Sequence, residues 1–329
     1  GIGSTTNQNT PQLVNLGTGR TAVSVSAGYY HTCAVLDNSS LKCWGYNGQG
    51  QLGIGSTTQQ TTPQTVSFAT NQSPKFVSVD SQTTCVIFED SRAMCMGQLG
   101  FWFSGSLYTL NQKTPEYLAR NTEISIDEVS TGYYHTCVVA SGGILKCMGQ
   151  GSNGQLGLGS NVDQNNPQLV NLGTDRTAVS VSSGRLHTCA VLDDGSLKCW
   201  GQGTYGQLGI GSNTDQNTPQ TVNLGTGRTA VSVDLGNSNT CVILDDGTLK
   251  CWGQGTGGQL GIGSNVNQIT PQTVDLGTGR TAVSVSAGVS HTCAMLDDRS
   301  LKCWGANNYG QLGIGSTTNQ NTPQLVNLG

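Results

Sequence analysis

The sequence is short of charge, of aromatic residues and of long apolar runs. Charged residues make up 10% of its 329 residues, and 15 basic against 19 acidic side chains leave a net charge of −4. Because nucleic-acid binding needs clustered lysine and arginine, we expect no nucleic-acid partner. An uninterrupted apolar run of about 18 residues is also missing, so we expect no membrane span.

Cysteine, in contrast, is present in six regularly spaced pairs. The first members of the pairs are 52 residues apart, the second members follow ten residues later, and no insertion or deletion breaks this register. A period near 50 residues is typical of an array built from one supersecondary unit. The repeats therefore run 1–52, 53–104, 105–156, 157–208, 209–260 and 261–312.

Each cysteine pair flanks a predicted turn between two alternating strands. In residues 187–200 an Asp-Asp-Gly turn separates the arms, and a three-residue loop with a left-handed glycine places Cys189 opposite Cys199. Facing Cα atoms of an antiparallel pair lie within disulfide range, although two rows of reduced, buried thiols are the alternative. The disulfide interpretation implies an oxidising compartment. The predicted disulfides are Cys33–Cys43, Cys85–Cys95, Cys137–Cys147, Cys189–Cys199, Cys241–Cys251 and Cys293–Cys303.

Every repeat contains four short strand patterns and no convincing helical periodicity. In repeat 209–260 the strands are predicted near 218–222, at 230–233 and in the two arms of the cysteine hairpin, and they form one blade in that order. Four strands joined by glycine-rich turns are typical of a propeller blade. We therefore predict an all-β fold: one β-propeller over residues 1–329, with six four-stranded blades and one disulfide per blade.

The hairpin and the loop after it carry a family resemblance. Residues 28–36 read Gly-Tyr-Tyr-His-Thr-Cys-Ala-Val-Leu, and residues 41–53 read Leu-Lys-Cys-Trp-Gly-Tyr-Asn-Gly-Gln-Gly-Gln-Leu-Gly. These motifs resemble the regulator-of-chromosome-condensation repeat, and they recur across essentially the whole chain. The resemblance implies a propeller, usually of seven blades, so six units depart from the family pattern. The paired cysteines resemble the secreted bacterial branch rather than the nuclear exchange factor.

Several recurring side chains have the chemistry of functional groups, but a structural role explains each of them better. The histidine position is filled in only four repeats, so a metal ring would be broken, and we predict hydrogen-bonded structural histidines. The tryptophan row is predicted to pack between blades, since methionine replaces it twice. Recurring arginines and paired acids are predicted to be turn residues. We therefore expect no enzyme and no catalytic, cofactor-binding or metal-binding residue. The positions are His31, His135, His187 and His291; Trp44, Trp200, Trp252 and Trp304; Met96 and Met148; Arg20, Arg176, Arg228 and Arg280; and Asp193/Asp194, Asp245/Asp246 and Asp297/Asp298.

One junction breaks the repeat pattern. Where other copies have a Gly-Gln-Leu-Gly turn, the chain has Phe101, Trp102 and Phe103. Three consecutive aromatic residues indicate either local repacking of a degenerate blade or an exposed patch that docks a partner. We retain these residues as a candidate interface.

The two ends of the chain are identical over 17 residues. Residues 1–17 reappear as 313–329, which suggests the start of a new six-unit cycle. We expect the two copies to compete for one position, the outer strand of the blade that contains Cys33 and Cys43. The copy that loses this competition would join a neighbouring propeller or exchange a strand with it. The candidate interface residues in these segments are Thr10, Val14, Thr322 and Val326.

The leading functional hypothesis is an extracellular structural protein whose propellers join end to end into a fibre or surface filament. Its partners would be copies of itself. The alternative is a secreted adhesion module that acts as a single propeller and binds a glycan or a cell-surface protein. An exchange factor for a small GTPase rests on fold analogy alone and conflicts with the disulfides.

Overall fold

The structure is a computed structural model that describes residues 1–68, 72–99, 110–118 and 125–329. The described residues form antiparallel four-stranded sheets and no helix. We call these six sheets blades 1 to 6, in chain order. Within each blade the strands are adjacent in the order in which they occur in the chain.

The first three blades comprise strands β1 to β12. Blade 1 contains β1 (Ala22–Ala27), β2 (His31–Leu36), β3 (Leu41–Gly45) and β4 (Gln60–Thr65); blade 2 contains β5 (Pro74–Val79), β6 (Thr83–Phe88), β7 (Ala93–Leu99) and β8 (Leu110–Tyr117); blade 3 contains β9 (Ile126–Thr131), β10 (His135–Ala140), β11 (Ile144–Gly149) and β12 (Gln164–Leu169).

The last three blades comprise strands β13 to β24. Blade 4 contains β13 (Ala178–Ser183), β14 (His187–Leu192), β15 (Leu197–Gly201) and β16 (Gln216–Thr221); blade 5 contains β17 (Ala230–Leu235), β18 (Asn239–Leu244), β19 (Leu249–Gly253) and β20 (Gln268–Thr273); blade 6 contains β21 (Ala282–Ala287), β22 (His291–Leu296), β23 (Leu301–Gly305) and β24 (Gln320–Leu325).

The cysteine hairpin has the register that the turn chemistry predicts. Cys189 lies directly opposite Cys199, the two are disulfide-bonded, and Gly195 takes the left-handed conformation at φ +74°. A glycine suits this turn because it has no Cβ to clash in the left-handed region. The other five hairpins are joined in the same way, with Cα atoms 4.1–4.2 Å apart across each disulfide.

The outer strand of each blade follows the hairpin instead of preceding it, and here the sequence-based order is wrong. In blade 5 the outer strand is β20, which pairs with the second hairpin arm, whereas residues 216–221 belong to blade 4 as β16. The physical reason is that the glycine-rich loop after Gly253 returns the chain to the free edge of β19. A proline-containing strand suits this last position because no further strand pairs with its outer edge.

The terminal copies therefore do not compete for one position. The outer strand of blade 1 is β4, which is neither copy, and residues 320–325 form the outer strand of blade 6. The expectation that one of the two copies forms the outer strand of the blade that contains Cys33 and Cys43 is wrong. Residues 320–325 pair with the second arm of the hairpin that precedes them, whereas residues 1–17 contain no strand.

The chain divides into two compact units. Unit 1 comprises Gly1–Thr5, Leu13–Gln150 and Asp163–Leu169 and holds blades 1 to 3, and unit 2 comprises Thr6–Gln12, Gly151–Val162 and Val170–Gly329 and holds blades 4 to 6.

Each unit has its apolar core between successive blades. In unit 1 one cluster joins Cys33, Val35 and Leu41 of blade 1 to Val77 and Phe88 of blade 2. Equivalent clusters join blades 2 and 3, blades 4 and 5, and blades 5 and 6. One side of a cluster is always supplied by a cysteine hairpin, and the other by the inner strands of the following blade. The predicted fold class, an all-β propeller of six four-stranded blades with one disulfide each, is confirmed.

Candidate functional site

The recurring histidines and tryptophans belong to one hydrogen-bond network that crosses from blade to blade. Between blades 4 and 5, His187 Nε2 lies 3.0 Å from the hydroxyl oxygen of Thr240. That hydroxyl donates to the carbonyl oxygen of Gln207 at 2.8 Å, and the Trp252 indole N–H donates to the same carbonyl at 2.9 Å. We call this set the blade-joining network.

The network recurs at other junctions within each unit. In unit 1 His31 Nε2 lies 2.7 Å from the Thr84 hydroxyl, which donates to the Gln51 carbonyl. In unit 2 the Gln155 carbonyl accepts hydrogen bonds from Thr188 and Trp200, and the Gln259 carbonyl accepts them from Thr292 and Trp304. Because each threonine donates its hydroxyl proton to a carbonyl, the facing histidine must donate through Nε2.

His31, His135 and His187 are buried, and His291 is partly buried. Burial lowers the pKa of His31 and of His135 to about 3, and it also lowers the pKa of His291. A ring that must keep its Nε2 proton for the threonine offers no lone pair there to a metal. Among the described residues there is no group of three or more metal-ligating side chains.

The tryptophan row packs between blades, where the indole rings of Trp200, Trp252 and Trp304 are fully buried. Each ring lies against a glycine from the loop of the preceding blade. A Cβ on Gly209 would lie 2.5 Å from Trp252 Nε1, so this position requires glycine. Met96 fills the same kind of site in blade 2 and is also fully buried.

The recurring arginines and paired acids contact each other, which their separate description as turn residues did not predict. Arg176 lies 3.2 Å from both Asp193 and Asp194, and the same pairing recurs in blades 5 and 6. All these side chains are more than one-third exposed, so each ion pair contributes little to stability. These acids accept hydrogen bonds within turns and pair with arginine, which gives them a structural role.

The fifth position of the innermost strand is a serine in every blade except blade 5, where it is an acidic residue. Asp234 of β17 stands where blades 1 and 2 have Ser26 and Ser78. Its carboxylate accepts a hydrogen bond from the Ala287 amide at 2.7 Å, while burial raises its pKa to about 6. This position is structural, because the serines at the same place also accept an amide from the next blade.

An exposed aromatic surface in unit 1 is the strongest candidate site. The Tyr29 ring centroid lies 5.7 Å from that of Tyr30 and 5.9 Å from that of Tyr133. Tyr30 also makes an edge-to-face contact with Tyr46, with ring centroids 6.1 Å apart, and Tyr133 makes one with Tyr134, with ring centroids 4.2 Å apart. We call these five side chains the tyrosine surface.

The tyrosine surface faces solvent. Tyr30 is 67% exposed and Tyr134 is 47% exposed. Clustered, exposed tyrosines are typical of surfaces that bind proteins or sugars, because a rigid amphipathic ring gives contact area at little entropic cost. The sequence carried a signal for this surface, since Gly-Tyr-Tyr-His recurs only in repeats 1 and 3. From the sequence alone, this motif indicates the family resemblance and does not show that the two copies share a surface.

The interface residues predicted from sequence have different outcomes. Phe101, Trp102 and Phe103 lie outside the described residues. Thr10 and Thr322 are exposed, Val14 is partly buried, and Val326 is buried against blade 6. Their role as an interface between molecules stays a prediction.

The fold and the network define a disulfide-stabilised propeller assembled from repeated blades. The family model for the RCC1-like domain matches residues 1–294, and models for the regulator of chromosome condensation (RCC1) repeat match residues 282–311 and 303–329. The chain belongs to the RCC1-like propeller family.

The similar proteins differ widely in what they do. The chain is 30% identical to the ultraviolet-B receptor UVR8 of Arabidopsis thaliana, over 93% of this chain and 70% of that protein. Its structure resembles human WBSCR16, with a TM-score of 0.88, 22% identity and coverage of 98% of this chain and 85% of that one. It also resembles Prp20p of Saccharomyces cerevisiae, whose structure was described with its binding to Gsp1p and histones; the TM-score is 0.82, with 21% identity and coverage of 92% and 76%. The two structural likenesses show the fold alone.

Proposed function

We propose that this chain is a non-catalytic adhesion module that works outside the cell. All twelve cysteines form disulfides within single blades. Such a framework persists in oxidising compartments and is rare in the cytosol. The histidines, tryptophans and paired acids all have structural roles in the described part of the chain. These observations support a binding function better than a catalytic one.

The tyrosine surface is the observation that carries this proposal. Five rings in tilted and edge-to-face contact form one continuous aromatic surface. The partner is a protein or a glycan displayed on a cell surface, since both are recognised by aromatic stacking with polar contacts at the rim. The weak net charge argues against a partner held by electrostatic attraction.

The test is binding of the labelled protein to the surface of cells that produce it. The double variant Tyr30→Ser/Tyr134→Ser should bind at least about tenfold more weakly, because two exposed rings are typical of binding hot spots. Tyr309→Ser is the matched control, since Tyr309 is 69% exposed but lies outside the tyrosine surface. Equal binding of wild type and the double variant would refute the proposed site. Protease treatment of the cells that abolishes binding would identify a protein partner, and periodate treatment that does so would identify a glycan.

A second candidate function is structural, with propellers joined end to end in an extracellular fibre or surface filament. The observation that favours it is the identity of residues 1–17 and 313–329, together with the contacts that both ends make. Electron microscopy of the native material tests this function. Filaments with a regular bead are expected, and discrete single particles would refute the fibre.

A further inference from the structure

The first and last blades each carry a face that is more exposed than its counterparts in the other blades. Val25 of β1 is 65% exposed, whereas Val77 and Val129, at the same position of blades 2 and 3, are 1% exposed. Met295 of β22 is 40% exposed, whereas Val35 and Ile243, at the same position of blades 1 and 5, are at most 3% exposed. We call the two surfaces the blade-1 face and the blade-6 face.

The two faces are the two different halves of the same repeated interface. In the cluster between blades 1 and 2, a cysteine hairpin supplies the first half and the inner strands of the next blade supply the second. The blade-6 face is a first half without its second, made of Cys303, Leu312 and Val326 with Cys293, Leu301 and Ile314 packed against them. The blade-1 face offers the matching second half, in which Val25 and Trp44 are the counterparts of Val77 and Met96.

The blade-joining network is divided in the same way. The Thr32 hydroxyl and the Trp44 indole on blade 1 make no hydrogen bond to the described residues, and both side chains are partly exposed. Their counterparts Thr292 and Trp304 donate to the carbonyl of Gln259. On blade 6, the His291 imidazole likewise makes no hydrogen bond to the described residues, whereas His31 and His187 each reach a threonine of the following blade.

The missing acceptor is present at the end of blade 6. Gln311 is the counterpart of Gln259 in the repeat, and it is exposed whereas Gln259 is buried. Its carbonyl would accept from a Thr32 and a Trp44, and a His291 would donate to that same Thr32. One molecule therefore carries both halves of the network, on different blades.

The identical ends make the contacts that a junction between blades makes. Gly3 donates its amide to the Thr61 carbonyl of β4 at 2.9 Å, just as Gly263 donates to Asn321 of β24 at 2.8 Å. Gly315, the repeat of Gly3, donates instead to the carbonyl of Asn9 at 2.7 Å. Residues 313–317 have the same sequence as residues 1–5, so they can make the same contacts with β4.

We propose that a second copy of this chain binds at these faces, with the blade-6 face of one molecule packed on the blade-1 face of the next. Residues 313–317 of the first molecule replace residues 1–5 of the second beside Trp44 and Thr61. The Gln311 carbonyl then accepts from Thr32 and Trp44, and His291 donates to Thr32. This inference rests on the second proposed function, the fibre, and specifies which surfaces of neighbouring molecules are in contact.

The exchange of terminal segments costs little because identical sequences make identical contacts, as in domain swapping. The gain is the burial of two apolar faces and the completion of three hydrogen bonds. The contact is heterologous, since the two faces differ, so successive molecules add head to tail. Residues 1–12 limit assembly, because they occupy the place that a neighbour needs.

The experiment measures mass in solution, by sedimentation velocity over a range of concentrations, for wild type and three variants. Val25→Asp and Met295→Asp each place a charge on one face, and each is expected to weaken assembly at least about tenfold, because an unpaired charge is costly in an apolar contact. Val23→Asp is the matched control. Val23 lies on the same strand with 64% exposure, but its counterparts Val179 and Val231 are also exposed, so no junction covers it.

Mixing the variants gives the sharpest result. Val25→Asp keeps an intact blade-6 face and Met295→Asp keeps an intact blade-1 face, so each alone should stay monomeric and the mixture should stop at a 1:1 dimer. Deletion of residues 1–12 should strengthen wild-type assembly. Thermal melting of each variant monitored by circular dichroism confirms that the monomer is folded.

Three results would overturn the proposal: a wild type that stays monomeric even after deletion of 1–12, a mixture that forms no dimer, or variants that assemble as wild type does. Native filaments that persist in Val25→Asp and Met295→Asp would overturn this joint while leaving the fibre function in place. Discrete single particles in the native material would refute the fibre function itself.

Discussion

Replacement of Trp252 tests whether the blade-joining network or the apolar packing holds neighbouring blades together. Trp252 is fully buried between blades 4 and 5, and its indole N–H donates to the Gln207 carbonyl. We compare Trp252→Ala, which removes both the ring and the hydrogen bond, with Trp252→Met, which keeps most of the apolar volume. Met96 and Met148 hold this position in blades 2 and 3, so the fold already accommodates methionine there.

The two substitutions should differ clearly in cost. Truncation of a buried tryptophan to alanine leaves a cavity and costs about 3–5 kcal/mol of unfolding free energy. Trp252→Met should cost less, about 1–3 kcal/mol, because the methionine side chain fills part of the space of the indole ring and the lost hydrogen bond contributes about 1 kcal/mol net. The Gln207 carbonyl stays satisfied, since the Thr240 hydroxyl still donates to it at 2.8 Å. The Gln51 carbonyl beside Met96 already has this arrangement, with Thr84 as donor.

The assay is guanidinium unfolding at constant pH, followed by circular dichroism and by tryptophan fluorescence. Coincidence of the two transitions establishes whether one free energy describes the molecule. If Trp252→Met destabilises as much as Trp252→Ala, the indole N–H is essential and the reasoning from packing is refuted.

Three further variants probe single blades: two at positions where the chain departs from its own repeat, and one at a disulfide that every blade has. Asn239→His should raise the free energy of unfolding by about 1–2 kcal/mol, because the buried Asn239 amide has no hydrogen-bond partner whereas a histidine would reach Thr292. An unchanged midpoint of guanidinium unfolding would contradict this prediction. Asp234→Ser should remove a pH dependence of stability. Burial raises the folded-state pKa of Asp234 from its ordinary value of 3.8 to about 6, so this carboxyl lowers the free energy of unfolding of the wild type by about 3 kcal/mol as pH rises from about 4 to 6. Parallel stability–pH curves of wild type and variant would exclude that titration. Cys189→Ala/Cys199→Ala should lower the free energy of unfolding by about 3 kcal/mol, because the unfolded chain is no longer restricted by this disulfide. The other blades should stay folded, and resistance of their strands to limited proteolysis would show it.

The sequence predicted the parts of the fold that depend on local chemistry. The Asp-Asp-Gly turn determines the hairpin register, and the register brings Cys189 opposite Cys199. The interchange of tryptophan and methionine at one repeat position indicated a packing role, and Trp252 has that role. Each of these inferences uses residues that are close in sequence, for which turn geometry and strand alternation leave few alternatives.

The assignment of outer strands to blades could not be obtained in the same way. A repeat has no natural starting point, so residues 216–221 fit equally well before or after a cysteine hairpin. Only strand pairing shows that they pair with β15 of blade 4. The wrong assignment of outer strands also led to a wrong prediction for the two chain ends. The outer strand of blade 1, which was predicted to be one of the two identical end segments, is β4. The tyrosine surface was missed because it joins blades 1 and 3, about 100 residues apart, and repeat analysis treats each unit alone.

The structure separates what holds a blade together from what holds blades to each other. Each disulfide lies within one hairpin, so it resists unfolding of that blade and adds no covalent link to the next. Cohesion between blades rests on apolar clusters and on the network through Gln207 and its counterparts. The proposed joint between molecules would use the same kinds of contact as a junction between two blades. Reduction should accordingly weaken individual blades while leaving the contacts between blades intact, and the same contacts are available to a neighbouring molecule.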